Sequence, residues 1–254
     1  MLTIDDRIIP PAQRQMAARV GVLSRGGRHA ESDGGRQMTG ESMTRLFIAG
    51  ATGLVGGQAL ALALADQRVT QVIAPTRRPI SAHAKLENPR LDALIDDTGP
   101  DGWRADGAIC ALGTTRAIAG SAAAFRAVDH DLVVAMARRL RGAGVERFAL
   151  VSSLGADPRS RVLYTRTKGE VEEAIGSLAF PSLTILRPGF LDGERAEYRP
   201  LERVAGALLR LLGPLLPQSA RVSSVSRVAA LLIESAIDGA PGLRIIGSAQ
   251  IGYR

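Results

Sequence analysis

The sequence is poor in cysteine, lysine, histidine and aromatic residues, and each shortage removes a class of function. Cys110 is the one cysteine in 254 residues, so no internal disulfide can form. A reduced, cytoplasmic setting is expected. The three histidines, His29, His83 and His130, stand apart from one another and from the cysteine, so no metal site is expected. Aromatic residues make up 4% of the chain and its net charge is +7. The basic residues are scattered and lack the aromatic interleaving that stacks bases, so no nucleic-acid partner is expected. Every apolar run is broken by Arg, Asp, Gln or Pro before it reaches the roughly 18 residues of a membrane span. The chain opens Met1-Leu2-Thr3-Ile4-Asp5-Asp6, acidic where a signal peptide is basic.

Residues 1–42 carry Pro10-Pro11, Gly26-Gly27 and Gly34-Gly35 with no sustained apolar period. A largely disordered extension, or the product of an upstream start codon, is expected there, with Met43 opening the domain (43–254). From Thr44 the pattern changes to alternating strands and helices. Strands are expected at Leu46–Ala49, Val69–Ala74, Leu91–Asp96, Ala108–Leu112, Phe148–Val151, Leu183–Leu186 and Leu243–Ile246. Helices are expected from the glycine turn to Asp66, over Ser121–Arg141 in one or two pieces, over Tyr164–Ser177, near Leu201–Leu212 and over Arg227–Ala236. This alternation predicts an α/β fold, a doubly wound parallel Rossmann sheet. Residues 188–225 fit the alternation poorly and are expected to form a small C-terminal lobe on the substrate side. Trp103 is expected in the core.

Between the first strand and its helix stands Gly50-Ala51-Thr52-Gly53-Leu54-Val55-Gly56. Glycine at that spacing allows a tight reversal, a close approach of backbone to a pyrophosphate, and close packing of helix on strand. The helix amides and the positive end of the helix then face the phosphates. A dinucleotide site is expected here. The second strand of an NAD-binding protein usually ends near an acid that bonds the ribose 2′-hydroxyl. This chain has Pro75-Thr76-Arg77-Arg78 instead, with Arg77 21 residues beyond Gly56. A guanidinium grips a 2′-phosphate, which a carboxylate would repel. The expected cofactor is therefore NADP(H) rather than NAD.

Tyr164-Thr165-Arg166-Thr167-Lys168 places a Tyr and a Lys four apart, on one face of a helix. An ammonium beside a phenol favours the phenolate, which makes the Tyr an acid or base toward a carbonyl or alcohol. With three Tyr and two Lys in the chain, chance gives this spacing about one time in fifty. Lysine is also the rarer choice here, since 30 of the 32 basic residues are Arg, and Arg cannot imitate a compact ammonium. Ser152 and Ser153 end the fifth strand 12 and 11 residues before Tyr164. Either hydroxyl is a candidate to orient a substrate oxygen.

These residues, with Leu186-Arg187-Pro188-Gly189, resemble the short-chain dehydrogenase/reductase superfamily in its extended or atypical branch. Cys110-Ala111-Leu112-Gly113-Thr114-Thr115, Val128-Asp129-x-Asp131 and Lys168-Gly169-Glu170-Val171-Glu172 are most similar to the Tat-interacting-protein-like (HTATIP-type) members. The resemblance covers about residues 44–235. It implies that Leu112, Gly113 and Thr114 line the cofactor, that Lys168 holds the nicotinamide ribose and that Tyr164 is the acid/base. It places Pro188 and Gly189 beside the nicotinamide carboxamide. Asp129 departs from the pattern, standing where extended reductases usually have Asn. The expected function is an NADP(H)-dependent oxidoreductase acting on a small molecule, with epimerase or dehydratase chemistry as a possible subtype. The alternative is a regulatory protein that senses NADP(H) without turnover.

Overall fold

The computed structural model describes residues 44–92, 103–114, 119–192 and 223–252. The N-terminal extension, the helix expected near Leu201–Leu212 and most of the 188–225 lobe lie outside these residues. Seven parallel strands form the sheet: β1 (Thr44–Ala49), β2 (Val69–Ile73), β3 (Leu86–Glu87), β4 (Gly107–Cys110), β5 (Arg147–Val151), β6 (Ser182–Arg187) and β9 (Gly242–Gly247), in spatial order β3-β2-β1-β4-β5-β6-β9. This is the doubly wound order, which reverses direction between β1 and β4 and leaves a crevice at the carboxyl ends of the strands. A further parallel pair, β7 (Leu191–Asp192) with β8 (Ser223–Ser224), closes the segment that follows β6.

Each central strand is buried on both faces, as a parallel sheet between helices requires. On one face, Leu46, Ile48, Val72, Ile109 and Leu186 pack with Ala59 and Ala63 of α1 (Leu54–Ala65) and with Val228, Leu232 and Ala236 of α5 (Val225–Asp238). The residues of β1 between these, Phe47 and Ala49, face the other way. There they join Phe148, Leu183 and Ile185, together with Val133, Met136 and Leu140 of α3 (Val133–Gly142) and Val171 and Ile175 of α4 (Leu163–Gly176). Trp103 is buried in this second layer and stacks on Phe47 with ring centroids 5.4 Å apart. A final short helix, α6 (Ser248–Ile251), follows β9.

Two elements differ from expectation. The third strand is Leu86–Glu87, not Leu91–Asp96: Leu86 and Glu87 pair with Val72 and Ile73. A two-residue edge strand has no room for alternation, so its sequence carries no period. Leu91 and Asp92 are helical, with Leu91 packed on the core and residues 93–96 outside the described set. The Ala-rich helix is interrupted rather than simply split. It runs as α2 (Ala122–Arg126), a π-helical turn over Ala127–Leu132, and then α3. The Ser121 hydroxyl caps its start by accepting from the Ala124 amide at 3.0 Å. The wide turn carries Asp129, which is completely buried. Single π turns of this kind often occur at functional sites.

Candidate active site

The candidate residues sit at the carboxyl ends of β1, β2, β4, β5 and β6 and on α4. Gly50 follows β1 with φ +84, and a β-carbon there would meet the Ala111 oxygen at 2.6 Å and the Leu112 nitrogen at 2.9 Å. The turn therefore lies directly against the end of β4. At Gly56 a β-carbon would run into the Gly50 carbonyl, so α1 packs onto its own turn only because that side chain is missing. Gly53 caps α1 without a side-chain hydrogen bond, and no acidic residue lies in the first turn. The first-turn amides of Leu54, Val55 and Gly56 have no intrahelical acceptor, and the exposed Thr52 and Gly53 leave the approach open. A cradle that β-carbons would fill, facing a helix N-terminus free of anions, fits a dinucleotide pyrophosphate.

Arg77 and Arg78 are exposed just past β2. Asn88 holds their loop in place. Its amide nitrogen donates to the Ala74 carbonyl and to Thr76 Oγ1 at 2.9 Å, and its oxygen accepts from the Ile80 amide at 3.0 Å. Thr76 Oγ1 in turn donates to the Arg78 carbonyl at 2.6 Å. Asn88 lies outside every motif, and only its place in the fold reveals it.

Tyr164 opens α4 with 40% of its surface exposed and its ring tilted against Phe125, centroids 6.0 Å apart. One turn deeper, Lys168 is buried, its Nζ 6.0 Å from the Tyr164 ring centroid. The same Nζ lies 2.9 Å from Asp129 Oδ1, while Asp129 Oδ2 accepts from the Thr114 amide at 2.8 Å. Gly113 lies above this pair; a β-carbon on it would be 3.5 Å from Asp129 Oδ1 and 3.6 Å from Lys168 Nζ. The strand end Cys110–Thr114 thus touches the glycine turn with one side and the Lys168–Asp129 pair with the other. Burial pushes the Cys110 thiol up to about 11, which leaves it an inert core residue.

The structure separates the two serines. The Ser152 hydroxyl is buried and donates to Glu172 Oε1. Glu172 is gripped from the other side by Arg187, through Nε at 3.0 and 3.2 Å and through one terminal nitrogen. That bond raises the Arg187 guanidinium above its ordinary value. Among the described residues, the half-buried Ser153 hydroxyl makes only a local bond, to the Leu154 carbonyl at 3.2 Å. Tyr164, Lys168 and Glu172 recur every four residues along one face of α4. That register was visible in the sequence and would have found Glu172. Pro188 is buried at the end of β6, with its carbonyl accepting from the Leu154 amide at 2.8 Å. The Gly189 amide donates to Ser223 Oγ at 3.1 Å, which ties the segment after β6 to β8.

A family described as NAD(P)H-binding matches residues 50–206. Among curated proteins, the chain is 38% identical over 180 residues to Protein fmp52, mitochondrial, of Emericella nidulans, covering 67% of this chain and 77% of that one. It is 37% identical over 180 residues to its counterpart in Coccidioides immitis, covering 65% and 73%. Among solved structures, MoeE5 in complex with UDP-glucose and NAD superposes with a TM-score of 0.62 at 20% identity, over 80% of this chain and 76% of that one. The chain belongs to the NAD(P)H-binding family. Its fold is that of the short-chain dehydrogenase/reductase superfamily, as the motifs implied. The cytoplasmic setting is corrected, because the curated relatives are named as mitochondrial proteins. A lone buried thiol reports a reduced cysteine and does not distinguish one compartment from another.

Proposed function

We propose that the chain is an NADP(H)-dependent oxidoreductase interconverting a carbonyl compound and its alcohol. One hydride and one proton are added across the C=O bond, giving the alcohol and the oxidised nucleotide. When bound, the nicotinamide supplies the hydride. The Tyr164 hydroxyl gives its proton to the substrate oxygen, and Ser153 orients that oxygen. Lys168 holds the nicotinamide ribose and carries positive charge beneath the phenol. Gly50, Thr52, Gly53, Leu54, Val55 and Gly56 cradle the pyrophosphate, while Leu112, Gly113, Thr114, Pro188 and Gly189 line the nicotinamide half. Arg77 and Arg78 pair with the 2′-phosphate. The observation that carries this reading is the exposed Tyr164 set over a buried, held Lys168.

A second reading, an NADP(H) sensor without turnover, draws on the Lys168–Asp129 ion pair, because a carboxylate at 2.9 Å offsets the charge that would otherwise act on the phenol. A panel of aldehydes and ketones with NADPH, comparing the native chain with Tyr164→Phe, separates the two. The enzyme reading expects turnover that falls by about 10²–10⁴ in the variant. Tight NADP(H) binding with no turnover of any member supports the sensor. Arg77→Ala with Arg78→Ala should weaken NADP(H) at least about tenfold and leave NAD(H) unchanged. Equal affinity of the native chain for the two nucleotides would overturn the cofactor choice.

A further inference from the structure

We propose that the substrate carries an uncharged apolar chain or ring, seated on a rim of Leu154, Val162, Tyr164 and Phe190; this rests on the oxidoreductase reading of the same site. Among the described residues, six large apolar side chains are exposed: these four, with Leu243 and Ile245 on the edge strand β9. Single exposed apolar residues are common, but a concentration of them at one place marks a contact surface.

The four belong to three segments whose backbones lie side by side near the start of α4. The loop after β5 brings Leu154 against the turn after β6, through the 2.8 Å bond from its amide to the Pro188 carbonyl. Gly155, next in the chain, lies against Thr165 on the first turn of α4, where a β-carbon would be 3.6 Å from Thr165 Cγ2. Val162 is the N-cap of that helix and is 61% exposed. Phe190 is 59% exposed, and its backbone carbonyl is fixed by the Ser223 amide at 2.6 Å.

Many polar groups around this rim are engaged with one another. Ser160 and Thr165 share a hydroxyl hydrogen bond at 2.6 Å. Asp157 accepts from the Arg159 amide at 2.9 Å, Arg166 reaches the Ser160 carbonyl at 3.3 Å, and Arg187 is bound to Glu172. A molecule whose oxygen reaches Tyr164 can lay its substituents on the exposed apolar groups beside it. The exposed Arg159 and Arg161 guanidiniums on the same loop are the competing feature, since they would favour an anionic tail instead.

Primary carboxamides from propanamide to decanamide are unreactive carbonyl stand-ins, and calorimetric titration into the full chain saturated with NADP⁺ reads their affinity. Affinity is expected to rise about fourfold per methylene over the first several carbons. Val162→Ala with Phe190→Ala should flatten the slope and leave NADP⁺ affinity unchanged. A flat series, an absence of binding, or tighter binding of an equally long amide ending in a carboxylate would overturn the proposal. Amide binding does not depend on hydride transfer, so the two readings fail separately. A slope with no turnover of the matching aldehydes removes the enzyme and keeps the apolar site. Turnover of short or charged carbonyls without a slope removes only the apolar site.

Discussion

Lys168 Nζ and Asp129 Oδ1 are 2.9 Å apart, and both side chains are almost wholly withdrawn from water. The lysine comes from the helix that carries Tyr164 and the aspartate from a π turn over Ala127–Leu132; the Val128-Asp129-x-Asp131 motif does not disclose that the two pair. Removing one partner leaves the other charge buried and uncompensated, which costs far more than an exposed pair is worth. Asp129→Ala is therefore expected to lower stability by about 3–5 kcal/mol in denaturant unfolding. Asp129→Asn keeps an acceptor for the Thr114 amide and should cost less. If Asp129 restrains the charge acting on Tyr164, the Asn variant also raises kcat at unchanged NADP(H) affinity. A lower kcat at unchanged affinity would instead make Asp129 a positive contributor.

The two serines that follow β5 should respond in opposite ways. Ser152→Ala leaves Glu172 held by Arg187 and is expected to cost about 1 kcal/mol of stability with little change in kcat. Ser153→Ala should leave the unfolding midpoint in place and lower kcat/KM about 10–100-fold. A kinetic loss in Ser152→Ala larger than in Ser153→Ala would reverse the assignment. Glu172→Ala strips the partner from both Ser152 and Arg187 and should destabilise by about 3 kcal/mol.

Gly56→Ala tests the cradle. Its β-carbon meets the Gly50 backbone, not a yielding side chain, so the turn must shift. Overpacking of this kind costs about 1–3 kcal/mol, and the NADP(H) dissociation constant should rise with it. Unchanged affinity with an intact fold would show that the phosphates bind elsewhere.

Cys110 supplies a pH dependence. Burial holds its thiol near 11 in the folded chain, against a reference of 9.0. The proton is bound more tightly in the folded state, so this contribution is complete below about 9 and is lost as the pH rises toward about 11. Unfolding stability should decline across that window, and Cys110→Ala should reduce the decline. At pH 8 the native thiol should resist a disulfide reagent that modifies the unfolded chain quickly.

The sequence alone determined the elements whose physics is local. A strand, a glycine turn and an amphipathic helix each carry their own spacing, so the doubly wound fold, the Gly50–Gly56 turn and the Tyr164/Lys168 pair could all be read from residues a few positions apart. The third strand could not, because two residues at an edge carry no period and their pairing with Val72 and Ile73 is set by β2. Tertiary structure alone joined residues distant in the chain: Asp129 to Lys168, Ser152 and Arg187 to Glu172, and Asn88 to the loop of Arg77 and Arg78. Hydrogen bonds and ion pairs act within a few ångströms of space, and sequence spacing does not report distances between residues on different elements. Folding therefore decided which serine hydroxyl remained available and how the charge of Lys168 was met.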